Sequence, residues 1–195
     1  MILKAKKKDL GSIVKIHLNV LSQTFNSRIG DKFLYNLYDI LLRNPDVARI
    51  WVVKKNDKVA GFISVCQDFK KVGKTINKNT KRKYILLLLK FLLLNPGEII
   101  SFSKRLVFSR FINNNFSEPY STILTLGVHR KYQGVGLGSL LVKKSKSYFK
   151  KRGVKFLYVD TERNNLNAIL FYKKMGFRPI KEFLGNLILR TKINV

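Results

Sequence analysis

The feature that most constrains this 195-residue chain is a strand that runs into a glycine-rich turn and then into a helix. Ser121 to Val128 carries Ile123, Leu124, Leu126 and Val128, an apolar run of strand type. Gln133-Gly134-Val135-Gly136-Leu137-Gly138 follows, and Leu140, Leu141, Tyr148 and Phe149 then mark a helix. The first N–H groups of a helix lack intrahelical partners, and the helix dipole reinforces them. Glycine lets a ligand approach that backbone with no β-carbon in the way. Alternate glycines at 134, 136 and 138 therefore suit an anion such as a pyrophosphate. A proline at Gly136 is expected to block that cradle and abolish such binding. The spacing differs from the Gly-x-Gly-x-x-Gly of dinucleotide folds, and no Gly-Lys-Ser/Thr closes it as in a P-loop.

Strands and helices alternate on both sides of this turn. Residues 2 to 6 read as a short strand, and Asp9 caps a helix with Leu10, Ile13, Val14, Ile16 and Leu21 at apolar positions. A second helix is expected over about 28 to 43, stopped by Asn44-Pro45. Ile50 to Val53 and Val59 to Val65 flank Asn56-Asp57, a good hairpin turn. After the central helix, closed by Gly153, Lys155 to Thr161 is a strand. Asn164-Asn165 opens a helix carrying Ala168, Ile169, Tyr172 and Met175, which Gly176 closes. Phe177 to Arg190, broken at Gly185, reads as a terminal strand pair. This order is α/β in class and fits one domain over residues 1–195.

Residues 69 to 116 break the rhythm and read as a helical insertion, with 11 basic residues and one acid, Glu98. It contains the most apolar run, Ile85 to Leu94, interrupted by Lys90. A bilayer span needs about 20 apolar residues, so the run is too short to cross a membrane. A buried helix is the expectation, and an interfacial helix is the alternative. A second helix is expected over 97 to 110.

Composition bounds the partners. The 39 Lys and Arg against 11 Asp and Glu give a formal charge of +28, a field that attracts nucleic acid, anionic membrane surfaces and nucleotides. Because 28 of the basic residues are Lys and Asn, Ile and Phe are plentiful, an AT-rich coding bias accounts for the excess equally well. One cysteine, Cys66, and two histidines argue against a disulfide scaffold or a zinc module and fit a reducing, cytoplasmic setting. The basic amino terminus has no apolar stretch after it, so no signal peptide is expected.

Two blocks of the sequence resemble the GNAT N-acetyltransferases. The first is Val128, then His129 to Tyr132, then Gln133, Gly136 and Gly138, followed by Leu140-Leu141. The second is Asn165-Leu166-Asn167-Ala168-Ile169-Leu170-Phe171-Tyr172, followed by Gly176-Phe177. The resemblance implies an α/β (α+β) fold with a central mixed, mostly antiparallel, splayed sheet flanked by helices, and acetyl-CoA as cosubstrate. It implies that Leu126, Gly127 and Val128 meet the pantetheine arm, Leu126 and Val128 through their backbone groups. It further implies that the N–H groups of Gln133, Gly134, Val135, Gly136, Leu137, Gly138 and Ser139 hold the pyrophosphate. Asn165 would contact the cofactor near its thioester, and Tyr172 would protonate the departing thiolate.

The position where some relatives carry a glutamate base is Thr122 here, and threonine cannot take that role. Glu118 and His129 are nearby in sequence, with a solvated loop acid and a surface histidine as their plainer readings. His17 reads as a packing or surface residue, and Cys66 as a strand-interior thiol with no acyl-carrying role. The function implied is acetyl transfer to a primary amine by direct attack. An amino sugar attached to a nucleotide is the favoured acceptor, and a protein N-terminal or lysine amine is the alternative. A non-catalytic scaffold that binds nucleic acid or a membrane through its basic surface is the competing class, and a homodimer is a further expectation.

Overall fold

A computed structural model describes residues 1–116 and 119–193, so Glu118 lies outside the described residues. Strands β1 (Ile2–Lys4), β2 (Ala48–Lys55), β3 (Lys58–Cys66), β4 (Thr122–Val128), β5 (Phe156–Glu162), β6 (Arg178–Phe183) and β7 (Asn186–Lys192) form a 7-stranded sheet. Their order is β1-β2-β3-β4-β5-β7-β6. Every neighbouring pair is antiparallel except β4 and β5, which run parallel. The mixed, mostly antiparallel sheet expected from the sequence is thus present. Asn56 and Asp57, at φ 48° and 55°, make the left-handed turn that joins β2 to β3.

The helices are α1 (Leu10–Val20), α2 (Phe25–Ile29), α3 (Asp31–Arg43), α4 (Phe69–Asn79), α5 (Arg82–Leu94), α6 (Gly97–Asn115), α7 (Leu137–Lys150) and α8 (Leu166–Lys174). Side chains alternate across a strand, so each strand feeds two layers. Trp51, Val53, Ile63, Val65, Leu157, Val159 and Leu189 pack with Leu141, Val142 and Phe149 of α7 and Tyr172 of α8. On the other face Ile50, Val52 and Phe62 pack with Leu10 and Ile13 of α1 and Leu34, Tyr38 and Leu41 of α3. Farther along that same face, Tyr158 and Ile188 lie beneath Phe108 and Ile112 of α6. Helices α4 to α6 are the insertion between β3 and β4, and α6 brings it back over the far half of the sheet.

Three local expectations are corrected. The helix expected over 28–43 is broken at Gly30, where φ is +117° and α2 ends. Asp9 does not cap α1 with its side chain; its carboxylate accepts the Lys6 N–H at 2.9 Å and pairs with Lys54 Nζ at 2.9 Å. The Leu-rich run forms α5 as expected, but no residue of that helix is fully buried. One face, with Tyr84, Leu87, Leu88, Phe91 and Leu92, is half-buried, and the other is exposed. The short helix has only one neighbouring surface to pack on, so an all-apolar sequence cannot be covered on both sides.

Candidate active site

The site begins where the sheet comes apart. β4 and β5 share a single register pair, Thr122 with Tyr158. There the Tyr158 N–H donates to Ser121 O at 2.9 Å, and the buried Thr122 hydroxyl donates to Tyr158 O at 3.0 Å. Beyond this clamp the two strands diverge. Thr122 is therefore a structural pin, which accounts for a residue with no acid–base capacity at that position.

The divergence leaves one edge of β4 without a strand partner. In an antiparallel ladder, residues alternate between pairs that exchange hydrogen bonds and pairs that turn their amides outward. The His129 N–H donates to Ala60 O at 2.9 Å, which makes that pair a bonded one. Counting back through Val128↔Gly61, Gly127↔Phe62 and Leu126↔Ile63, the backbone groups of Val128 and Leu126 point to the open edge. Gly127 turns its own groups to β3. Its missing side chain serves packing, because a Cβ there would lie 2.8 Å from Phe62 Cε1. The Val128 carbonyl also accepts the Gln133 side-chain amide at 2.9 Å, which ties the strand end to the turn.

The turn then delivers the helix. Gly134 and Gly136 adopt φ +78° and +83°, and Gly136 is the left-handed residue that starts α7. The first backbone bond of this segment is Leu140 N–H to Gly136 O at 3.0 Å. The N–H groups of 134 to 139 thus have no backbone acceptor among the described residues. Space around the Cβ positions of Gly134 and Gly136 is open. An anion can therefore reach these amides directly. A proline at 136, however, would destroy the φ +83° geometry itself, so it would not remove the N–H alone. Asn165 is an exposed N-cap whose side chain accepts the Ala168 N–H at 3.1 Å.

Beside the splay, on the α6 side of the sheet, lie charged groups that sequence reasoning did not find. Leu157 and Val159 of β5 face α7, so Asp160 falls on the opposite side with Tyr158, below α6. Arg105 of α6 interacts electrostatically with it, and both side chains keep contact with solvent. Burial pushes the Asp160 carboxyl above the usual carboxylate range, and the Arg105 guanidinium pulls it partly back. Burial lowers the Arg105 pKa, with Asp160 opposing that shift. Tyr120 is near enough to feel Asp160, and its buried hydroxyl has no partner among the described residues.

His17 and Tyr38 complete this side. His17 Nδ1 lies 2.6 Å from Tyr38 Oη, and Nε2 lies 3.3 Å from Thr24 Oγ1. Burial, and then the Arg105 charge, push the His17 pKa down to about 4. The ring is neutral at pH 7, and Tyr38, whose phenol is raised by burial, keeps its proton and donates it to Nδ1. His17 is thus a buried packing residue, one of the two readings expected, and it also belongs to a hydrogen-bonded network. Cys66 is buried at the end of β3 with its thiol pKa raised by burial, as suits an unreactive thiol.

Tyr172 belongs to the other layer, in the core beneath α7. Its ring packs between Phe171 and Phe177, with centroids at 5.2 and 5.5 Å. Burial raises its phenol pKa, and the Asp160 carboxylate raises it further, so the hydroxyl stays protonated and is available as an acid.

The Acetyltransferase (GNAT) family model matches residues 16–177, well over half of the chain. The chain belongs to this family. It is therefore an acyltransferase of the GNAT type, with acetyl-CoA as the family's cosubstrate. Solved structures agree at the level of the fold. PH1933 from Pyrococcus horikoshii OT3 has a TM-score of 0.64 at 17% identity, covering 100% of this chain and 99% of its own. The PaiA N-acetyltransferase from Thermoplasma acidophilum, in complex with coenzyme A, has a TM-score of 0.63 at 13% identity and 98% coverage of each chain. The ribosomal-protein-S18-alanine N-acetyltransferase from Escherichia coli has 0.60 at 15% identity, covering 100% of this chain and 94% of that one. No curated protein matches the sequence. In this acetyltransferase the open β4 edge and the unpaired amides of 134 to 139 fit the arm and the pyrophosphate of the cosubstrate.

Proposed function

We propose that this acetyltransferase acetylates the primary amine of a small acceptor that carries an anionic group near that amine. An amino sugar attached to a nucleotide is the favoured example. The observation that supports this reading most directly is that Asp160, on the β5 side of the β4–β5 splay, is exposed and interacts electrostatically with Arg105 of α6. Acetyl-CoA, when bound, supplies an activated thioester. The amides of 134 to 139 hold its pyrophosphate, and the outward groups of Leu126 and Val128 align its arm as an added strand. Asp160 takes the amine proton, a role Thr122 cannot fill because its hydroxyl is committed to Tyr158 O. The raised pKa of Asp160 makes it a stronger proton acceptor than an ordinary carboxylate. Arg105 pairs with the acceptor's anionic group, and the Tyr120 hydroxyl supplies a further bond. Tyr172 gives its proton to the departing sulfur. Holding both reactants in the splay provides the rest of the acceleration. The single buried thiol fits a cytoplasmic setting.

The test pairs a substrate panel with two substitutions. Asp160→Asn should lower kcat by about a hundredfold or more while leaving acetyl-CoA affinity intact at low and high salt. Arg105→Gln should raise KM for amino-sugar nucleotides and leave neutral amines unaffected. Unchanged kcat in folded Asp160→Asn overturns the assignment of the base. A panel in which peptide N-termini are the better acceptors replaces the small acceptor with a protein amine, the activity named for the Escherichia coli structure.

A further inference from the structure

The insertion leaves α5 with two apolar faces and only one of them occupied. Phe91 meets Phe25 of α2 edge-on at 5.9 Å, and this inner face lies against the body of the protein. The outer face carries Ile85, Leu86, Leu89, Leu93 and Leu94, all exposed, with Leu93 at 81% and Leu94 at 70%. The row continues across the Asn95-Pro96 corner into Ile99 and Ile100, which are exposed as well. Isolated exposed leucines need no explanation, but a contiguous row on one helix and the corner that follows marks an interaction surface.

The charge around this face decides what covers it. Lys81, Arg82 and Lys83 precede its first apolar turn, Lys90 stands within the row, and Lys70, Lys71, Lys74 and Lys78 are exposed on α4. The one acid among residues 69–116, Glu98, is already paired with Arg28 at 2.6 Å. A second copy seated here would bring two such basic clusters together. A surface that is apolar in depth and anionic at its rim satisfies both features, and Lys90 can extend its stem along the leucines toward that rim. No helix among the described residues is long and apolar enough to cross a bilayer, so the contact is with one leaflet.

We propose that the outer face of α5, with the α5–α6 corner, seats this protein on an anionic phospholipid bilayer, its leucines entering the leaflet and its lysines and arginines meeting the headgroups. α6 runs from this corner to Arg105, so on the acceptor reading proposed above the contact holds Arg105 near the membrane surface.

The test is flotation of the full chain with phosphatidylcholine vesicles and with vesicles that also contain phosphatidylglycerol. Binding is expected only to the anionic vesicles and should weaken as salt rises. The double substitution Leu89→Glu with Leu93→Glu should lower vesicle binding by about tenfold or more, while the melting curve and acetyl-CoA binding stay unchanged, since both side chains face solvent. Because the chain's one tryptophan, Trp51, is buried, Leu93→Trp gives a second reading: its emission should shift to the blue on adding anionic vesicles. Absence of vesicle binding overturns the proposal. So does binding that the glutamates leave intact, which would be charge attraction alone, or a concentration-dependent dimer that the glutamates dissociate.

Discussion

His17 gives the protein a stability signature that can be measured without any substrate. Its pKa falls from 6.5 to about 4 on folding, so the folded state holds the ring neutral while the unfolded chain takes a proton near pH 6.5. A depressed pKa of this kind contributes stability that is complete above 6.5 and is lost as the pH falls toward 4. The full difference corresponds to about 3 kcal/mol, of which about 2 kcal/mol is lost between pH 7 and about pH 5. The reference variant is His17→Phe, whose ring can stack on Phe62 as the imidazole does, at a centroid distance of 6.4 Å, but carries no proton. It leaves the Tyr38 hydroxyl without its partner, so it should be less stable than the wild type at pH 7 by about 1–3 kcal/mol. Urea unfolding followed by the fluorescence of buried Trp51 supplies both curves. The stability gap between the two proteins should shrink by about 2 kcal/mol on going to about pH 5. A gap that stays constant across this range refutes the reasoning, because the ring would then titrate no differently in the folded and unfolded chains. In the folded chain the ring takes its proton only near pH 4, where it would place a second cation beside Arg105.

Two further substitutions probe the splay. Tyr172→Phe should keep the fold, since the ring lies in an apolar layer, and should lower kcat by about a hundredfold with little change in acetyl-CoA affinity; steady-state kinetics with unchanged kcat would remove the tyrosine from the reaction. Gly127→Ala places a Cβ 2.8 Å from Phe62 Cε1 and 3.3 Å from Ile16 Cγ2, and should cost about 1–3 kcal/mol in urea unfolding through overpacking; wild-type stability would show that Phe62 has room to move.

The cofactor side of the site was legible because its signals are local. Positive φ at Gly134 and Gly136, the helix beginning at Leu137 and the cap at Asn165 are set by residues within a few positions of each other. Which edge of β4 is open is not local, since it follows from the register with β3, and the whole α4–α6 insertion separates the two strands in sequence. The residues proposed for the acceptor side were not legible. Arg105 is one of 39 basic residues and Asp160 one of 11 acids, and nothing in their own segments distinguishes them. The only available hint was the alternation of Leu157 and Val159 around Tyr158 and Asp160, which puts the acid on the face away from α7.

Sequence periodicity and turn chemistry determined most of the order of strands and helices and the glycine cradle, and the resemblance of two motif blocks pointed to the family. Those features depend on backbone preferences and short-range spacing, which a chain carries before it folds. The tertiary structure decided the rest. It determined that Thr122 pins β4 to β5, that Arg105 of α6 comes within electrostatic reach of Asp160, that His17 is buried and hydrogen-bonded to Tyr38, and that one face of α5 has nothing to pack against. Each of these depends on residues far apart in sequence meeting in a low-dielectric interior, or on a surface with no partner left to cover it. Neither condition exists until the sheet has formed.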